Sequence, residues 1–208
     1  LMLRARAPKA HPKTGYWRPQ GSRDGTVVTR AITLEKDKYY PLQLDWFERG
    51  GGAALQLFWQ RASQPPKSND PNWQPVPASS FFKSLPEPVK EDPLPPAPEE
   101  NNIVPISLGE DNGLTLSYYK LNIADGYGRG DFIKTEVYKN SIDLNTRGNV
   151  LNSGLRDNVR LEFTGFIKAP AGTYQFRTRS DDGIKLTVGG TELIKQWKPQ
   201  GPTQGTSQ

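Results

Sequence analysis

The stretch VRLEFTGFIKAPAGTYQFRTRSDDGIKLTV, residues 159–188, decides the fold. Val159, Leu161, Phe163, Gly165 and Ile167 alternate with Arg160, Glu162, Thr164 and Phe166. Tyr174, Phe176 and Thr178 alternate with Gln175, Arg177 and Arg179, and Ile184, Leu186 and Val188 continue the pattern. A period of two puts one face of each segment on a core and the other in water, which is the signature of half-buried strands. Asp182-Gly183 reads as a tight turn closing a hairpin between the strands at Thr173 and Ile184. Gly189-Gly190 reads as the turn of the next hairpin.

The same alternation extends in both directions. Tyr40, Leu42, Leu44 and Trp46 share one face, as do Leu55, Leu57 and Trp59, and later Leu114, Leu116 and Tyr118. No window has convincing helical periodicity. The expected fold class is therefore all-β, an antiparallel β-sandwich with one face of each strand buried. Only 34% of residues are hydrophobic, while Pro (19) and Gly (20) are abundant, so much of the chain is turn, loop or linker. Aromatics at 10% partly offset the shortage of aliphatic core.

Two features organise the chain. Leu85 to Val104 holds six prolines, from Pro86 to Pro98, among acidic residues. Proline fixes φ and removes a donor, so this reads as a stiff extended spacer of roughly 40 Å. Trp17-Arg18-Pro19-Gln20-Gly21 before Gly25-Thr26 is matched, 180 residues later, by Trp197-Lys198-Pro199-Gln200-Gly201 before Gly205-Thr206. A near-identity with conserved spacing points to a tandem repeat, with both ends of this sequence expected inside the same loop.

Several motifs together resemble the protective-antigen fourteen-kilodalton domain. Gly113 to Tyr119 looks like its opening strand. Phe163 to Pro170, Gly172 to Phe176 and Ser180 to Leu186 resemble the rest of its first half. Leu34 to Tyr40 and Phe47 to Trp59 resemble its second half, and Pro77 to Phe82 its closing strand. The halves stand in permuted order. The expected organisation is residues 1–85 as the C-terminal half of one sandwich unit, 86–106 as a Pro/Glu-rich linker, and 107–208 as the N-terminal half of the next. Half a sandwich exposes its inner face and cannot offset chain entropy. Completion could come from flanking sequence, from the other half of the same chain, or from another chain in an open-ended fibre.

The resemblance implies a site. In lectin members of the family the Asp pair matching Asp181 and Asp182 is joined by a cis peptide and holds a calcium ion that binds sugar hydroxyls. Adjacent carboxylates at a turn are hard oxygen donors of the kind calcium takes, although a Ser-Asp-Asp-Gly turn can also be chosen for geometry alone. Gly50, Gly51 and Gly52 permit close backbone approach to a ligand, or simply make a bulged turn. Arg49 stands where the family often has Asn, and its guanidinium could pair with Asp181 or Asp182 in place of the metal. Trp73 is the best candidate among the tryptophans for stacking on a sugar, while Trp46 and Trp59 read as core.

Other chemistries are poorly supported. There is no cysteine, and His11 is the sole histidine, so thiolate sites, zinc sites of the usual kind and a Ser-His-Asp triad are not expected. Adjacent carboxylates are a poor acid/base pair for a glycosidase. Arg129-Gly130-Asp131 reads as a chance tripeptide in a Gly-rich loop. No stretch reaches the ~20 apolar residues of a membrane span. Arg4, Arg6, Lys9, Lys13, Arg18, Arg23 and Arg30 form a basic arm within a net charge of +5. A solvated loop explains it better than nucleic-acid binding, for which no reading element is present. The expectation is a non-catalytic module, extracellular or on a bacterial cell surface, that binds a glycan or cell-surface polymer with or without calcium. The alternative is a structural repeat of a surface fibre or layer that self-assembles by exchange of half-domains.

Overall fold

The computed structural model describes residues 31–62, 72–86, 111–201 and 203–206. The basic arm, the Trp17 copy of the repeat and all but the first residue of the 86–106 linker lie outside the described residues. The strands, in chain order, are β1 (Ile32–Leu34), β2 (Tyr40–Glu48), β3 (Ala53–Arg61), β4 (Gln74–Pro75), β5 (Phe81–Phe82), β6 (Leu114–Asn122) and β7 (Gly128–Tyr138). They are followed by β8 (Asp143–Thr146), β9 (Val159–Ile167), β10 (Gly172–Asp181), β11 (Ile184–Val188), β12 (Thr191–Gln196) and β13 (Thr203–Thr206). One 3-10 turn, Ala78–Ser80, precedes β5.

The strands form two antiparallel sheets. In the first, β10 pairs with β3; β1 and β13 share the far edge of β10, and β4 and β8 the far edge of β3. In the second, the order is β12-β11-β2-β9-β6-β7, with β5 also on β9. The alternation read from sequence sets the inner faces. In the second sheet Leu186, Leu44, Phe163 and Leu116 lie in one cross-strand row, and Ile184, Trp46, Leu161 and Tyr118 in the next. All eight are buried in a single core cluster, facing Leu55, Leu57 and Phe176 of that same cluster from the first sheet. Burial of large apolar side chains at about 1.5–3 kcal/mol each is the driving term.

Strands from residues 31–86 and from 111–206 interleave in both sheets. β2 lies between β11 and β9, and β3 between β10 and β8. Both sheets are therefore built from strands of the two segments together.

Two local expectations need correction. Asp182-Gly183 does not close a hairpin, because β10 and β11 belong to different sheets. The turn carries the chain across the end of the sandwich, with Asp182 at φ 36, a conformation aspartate tolerates better than most residues. Arg129-Gly130-Asp131 is not loop but the start of β7, where Arg129 pairs with Glu162 and Asp131 with Lys120. Gly189-Gly190 does close the β11–β12 hairpin, with φ of 57 and 77, the pair of positive values a type I′ turn needs.

Gly165, in the middle of β9, has φ 155, and a Cβ there would lie 2.4 Å from the Phe82 carbonyl oxygen and 2.9 Å from Leu114 Cδ2. Glycine is what allows β5 of the first segment to close on β9 of the second. Gly165→Ala is expected to destabilise the protein by about 1–3 kcal/mol, read as a lowered urea midpoint with an unchanged m-value.

Candidate cation and ligand site

The site lies where β2, β3, β10 and β11 meet at one end of the core. β2 alternates inward at Leu42, Leu44 and Trp46, so the next even position, Glu48, also points between the sheets. Glu48 is 0% exposed. One oxygen, Oε1, accepts the Gly50 N–H at 2.7 Å. The other, Oε2, is buried with no hydrogen-bond partner.

The crossover turn faces it. Asp182 accepts the backbone N–H of Arg49 at 2.7 Å and of Gln200 at 2.8 Å. Asp181 Oδ1 accepts the Asp182 N–H at 3.2 Å, and its carbonyl accepts Trp46 Nε1–H at 2.8 Å. Phe47 N–H donates to the Gly183 carbonyl at 3.0 Å. The Phe47 ring lies so close to Gly183 that a Cβ there would come within 2.2 Å of Cε1. One carboxylate oxygen from each of Glu48, Asp181 and Asp182 lies within 4.8 Å of the others.

Crowding three carboxyl groups in a dry corner opposes ionisation. Burial, and then the charges of Asp182 and Asp181, push Glu48 up to about 9. Burial raises Asp181 to about 6, against the hydrogen bond from Asp182. Asp182 is also raised by burial, which outweighs its hydrogen bonds from Arg49 and Gln200. The donor set fits a hard divalent cation. It is all oxygen, it comes from three side chains on two facing segments, and it includes a buried acceptor without a partner.

Residues anticipated from sequence fall into three groups. Asp181, Asp182 and the Gly50–Gly52 loop come together, with Gly51 N–H bonded to Asp157 Oδ1 at 3.1 Å and φ 109 at Gly51. Arg49 joins them differently from the expectation. It meets Asp182 through its backbone N–H, while its side chain is exposed. Trp73 is elsewhere. It lies beneath the Arg177 guanidinium, 5.9 Å from its ring centre. Arg177 is four residues along β10 from Asp181, about 13 Å at the strand rise. Glu48 was missed, although its parity with Trp46 marked it as an inward carboxylate.

Gln200 belongs to the repeated Trp-Lys-Pro-Gln-Gly motif. Trp197 stands edge-on to Phe47, lies 4.8 Å from the Arg160 guanidinium and 4.2 Å from Lys185 Nζ, and donates Nε1–H to the Gly126 carbonyl. Behind it, Arg160 reaches Glu162 at 2.8 Å and Asp45 at 3.6 Å. Burial alone would raise Glu162, but the bonds and charges of Arg129 and Arg160 win and hold it below the usual carboxylate range. The repeated motif thus clamps the outer face of the β2 corner and delivers Gln200 N–H to Asp182.

Two packed antiparallel sheets with an acidic cluster at one end of the core define a β-sandwich domain with a buried acidic corner. The family model of the PA14 domain, a family that often binds carbohydrate, matches residues 113–208. Comparison with curated proteins and with solved structures found no match.

The proton on Glu48 gives a stability prediction. The unfolded side chain ionises near 4.5 and the folded one near 9, so within that window the fold holds a proton that the unfolded chain has lost. This contribution is full below the lower value and is lost as pH rises to the upper one, at about 1.4 kcal/mol per pH unit. Asp181 adds the same sign only up to about 6. In chelator, the melting temperature should fall steadily above about pH 6, and Glu48→Gln should flatten that fall.

Proposed function

We propose that this protein is a non-catalytic carbohydrate-binding module of an extracellular, bacterial surface protein. In this reading Glu48, Asp181 and Asp182 hold a calcium ion that receives the hydroxyls of a glycan. The observation that supports it best is the buried, partnerless Oε2 of Glu48 facing two further carboxylates. A buried charge without a partner is costly, and a divalent cation at this point offsets three of them together. Calcium would also supply open coordination positions for vicinal hydroxyls. The Gly51-Gly52 loop leaves room beside the site. A hydrolytic role is disfavoured because Asp182 already accepts two backbone N–H groups and Glu48 has no exposed surface.

A calcium titration by calorimetry, followed by a glycan array with and without chelator, tests this reading. Calcium should bind in the range typical of extracellular modules, about 10⁻⁴ to 10⁻³ M. Glu48→Gln and Asp181→Asn should each weaken it at least about tenfold, roughly 1.4 kcal/mol. Glycan retention that ignores the chelator, or no calcium uptake at about 10 mM, would sink it.

A second reading has its own support. Trp197 to Thr206 docks as a clamp and an edge strand, with β13 on β10, and Trp17 to Thr26 repeats its sequence. The Trp17 segment of one chain is thus suited to displace the Trp197 segment of another, as in a surface fibre built by exchange. Light scattering across a concentration series should then reveal growing oligomers that Trp17→Ala abolishes. A single-chain mass at every concentration rules this reading out.

A further inference from the structure

Beside the carboxylate corner, on the outer side of the first sheet, lies a cavity of about 200 Å³. Its floor is made by Gly52, Ala53 and Ala54, whose small side chains leave the space. Three arginines line it, each from a different stretch of chain. Arg179 is on β10, two residues before Asp181 and on the same face. Arg147 directly follows β8, whose last residue, Thr146, pairs with Ala53. Arg156 comes from the loop between β8 and β9, where its Nε is 3.9 Å from Asp157. Arg179 is half-buried, while Arg147 and Arg156 are exposed. Asp181 is the one carboxylate among the lining residues, and it stands at the boundary with the cation site.

The cavity brings three guanidinium groups together with one carboxylate, so its lining carries an excess of positive charge. A neutral sugar offers these guanidinium groups only hydroxyl acceptors and no charge to pair with them. A carboxylate offers that charge, and its two oxygens match the planar fork of arginine. The volume is below the 300–1,000 Å³ of drug-sized sites and suits a single sugar ring. We propose that the ligand is an acidic saccharide, with a uronate-type ring whose carboxylate lies against Arg179, Arg147 and Arg156 while its hydroxyls face the cation beside Asp181. This inference rests on the carbohydrate reading above and adds the class of sugar.

The test compares two probes, methyl glucuronide and methyl glucoside, by NMR titration of the whole protein in calcium. The glucuronide should bind at least about tenfold tighter, the size of one charge-assisted contact, and its advantage should shrink with added salt. Arg179→Gln should remove that advantage. Arg147→Gln, at an exposed position just after β8, should reduce it in the same sense. Equal affinity for the two probes would overturn the acidic-sugar assignment while leaving carbohydrate binding intact. So would a glucuronide preference that survives both arginine substitutions. Binding of neither probe would overturn both readings together.

Discussion

Strand β2 finds no sheet partner within its own half of the chain. It is hydrogen-bonded on one side to β11 and on the other to β9, both more than a hundred residues later. β3 pairs with β4 nearby, but its long partner is β10. Residues 31–86 alone would leave β2 unpaired and β3 with only the two-residue β4 beside it. Residues 111–206 alone would leave β11 and β9 with a strand-wide gap between them. The rows that run Leu186, Leu44, Phe163, Leu116 and Ile184, Trp46, Leu161, Tyr118 exist only when both segments are present. Burying those rows is the term that offsets the entropy of closing such long loops.

The carboxylate corner is a by-product of the same insertion. Glu48 ends a strand of one segment, and Asp181-Asp182 ends a strand of the other. Neither has its neighbours until β2 enters the second sheet. Once there, the chain cannot move the carboxylates apart, because backbone bonds fix both sides. Arg49 and Gln200 donate to Asp182, Gly50 donates to Glu48, and Phe47 donates to Gly183. Like charges held at short range in a desolvated place must protonate or take up a cation. The outer face of the same corner works the opposite way. There Asp45 and Glu162 are matched by Arg160 and Arg129, and Trp197 covers the group. One face of β2 balances its charges internally, and the other leaves them unbalanced, which is why the candidate site falls on the inner side.

Much of this was legible beforehand. Strict alternation fixed the inward residues of β2, β9, β10 and β11, since a one-residue slip would turn every apolar side chain to water. Gly189-Gly190 announced its turn because only two positive φ values close that hairpin. Asp182-Gly183 carried a similar signal and was misread. A tight turn looks alike whether the next strand folds back beside the last or crosses to the facing sheet. Local preference does not encode which strand waits on the other side. Glu48 was overlooked for a related reason. Its parity was visible, but an acidic residue at a strand end is ordinarily solvated, and only the opposing Asp turn removes the water.

The sequence by itself determined which residues face inward, where the chain turns, and that a carboxylate pair and a glycine loop would be available. Those properties arise from the period of the strand and the φ/ψ limits of single residues, and they need no distant contact. Tertiary structure alone decided that Glu48 meets Asp181 and Asp182, that Arg49 bonds Asp182 through its backbone N–H, and that three arginines line one cavity. Each of these depends on which strand lies next to which across more than a hundred residues, and that choice is made by burying the whole core at once.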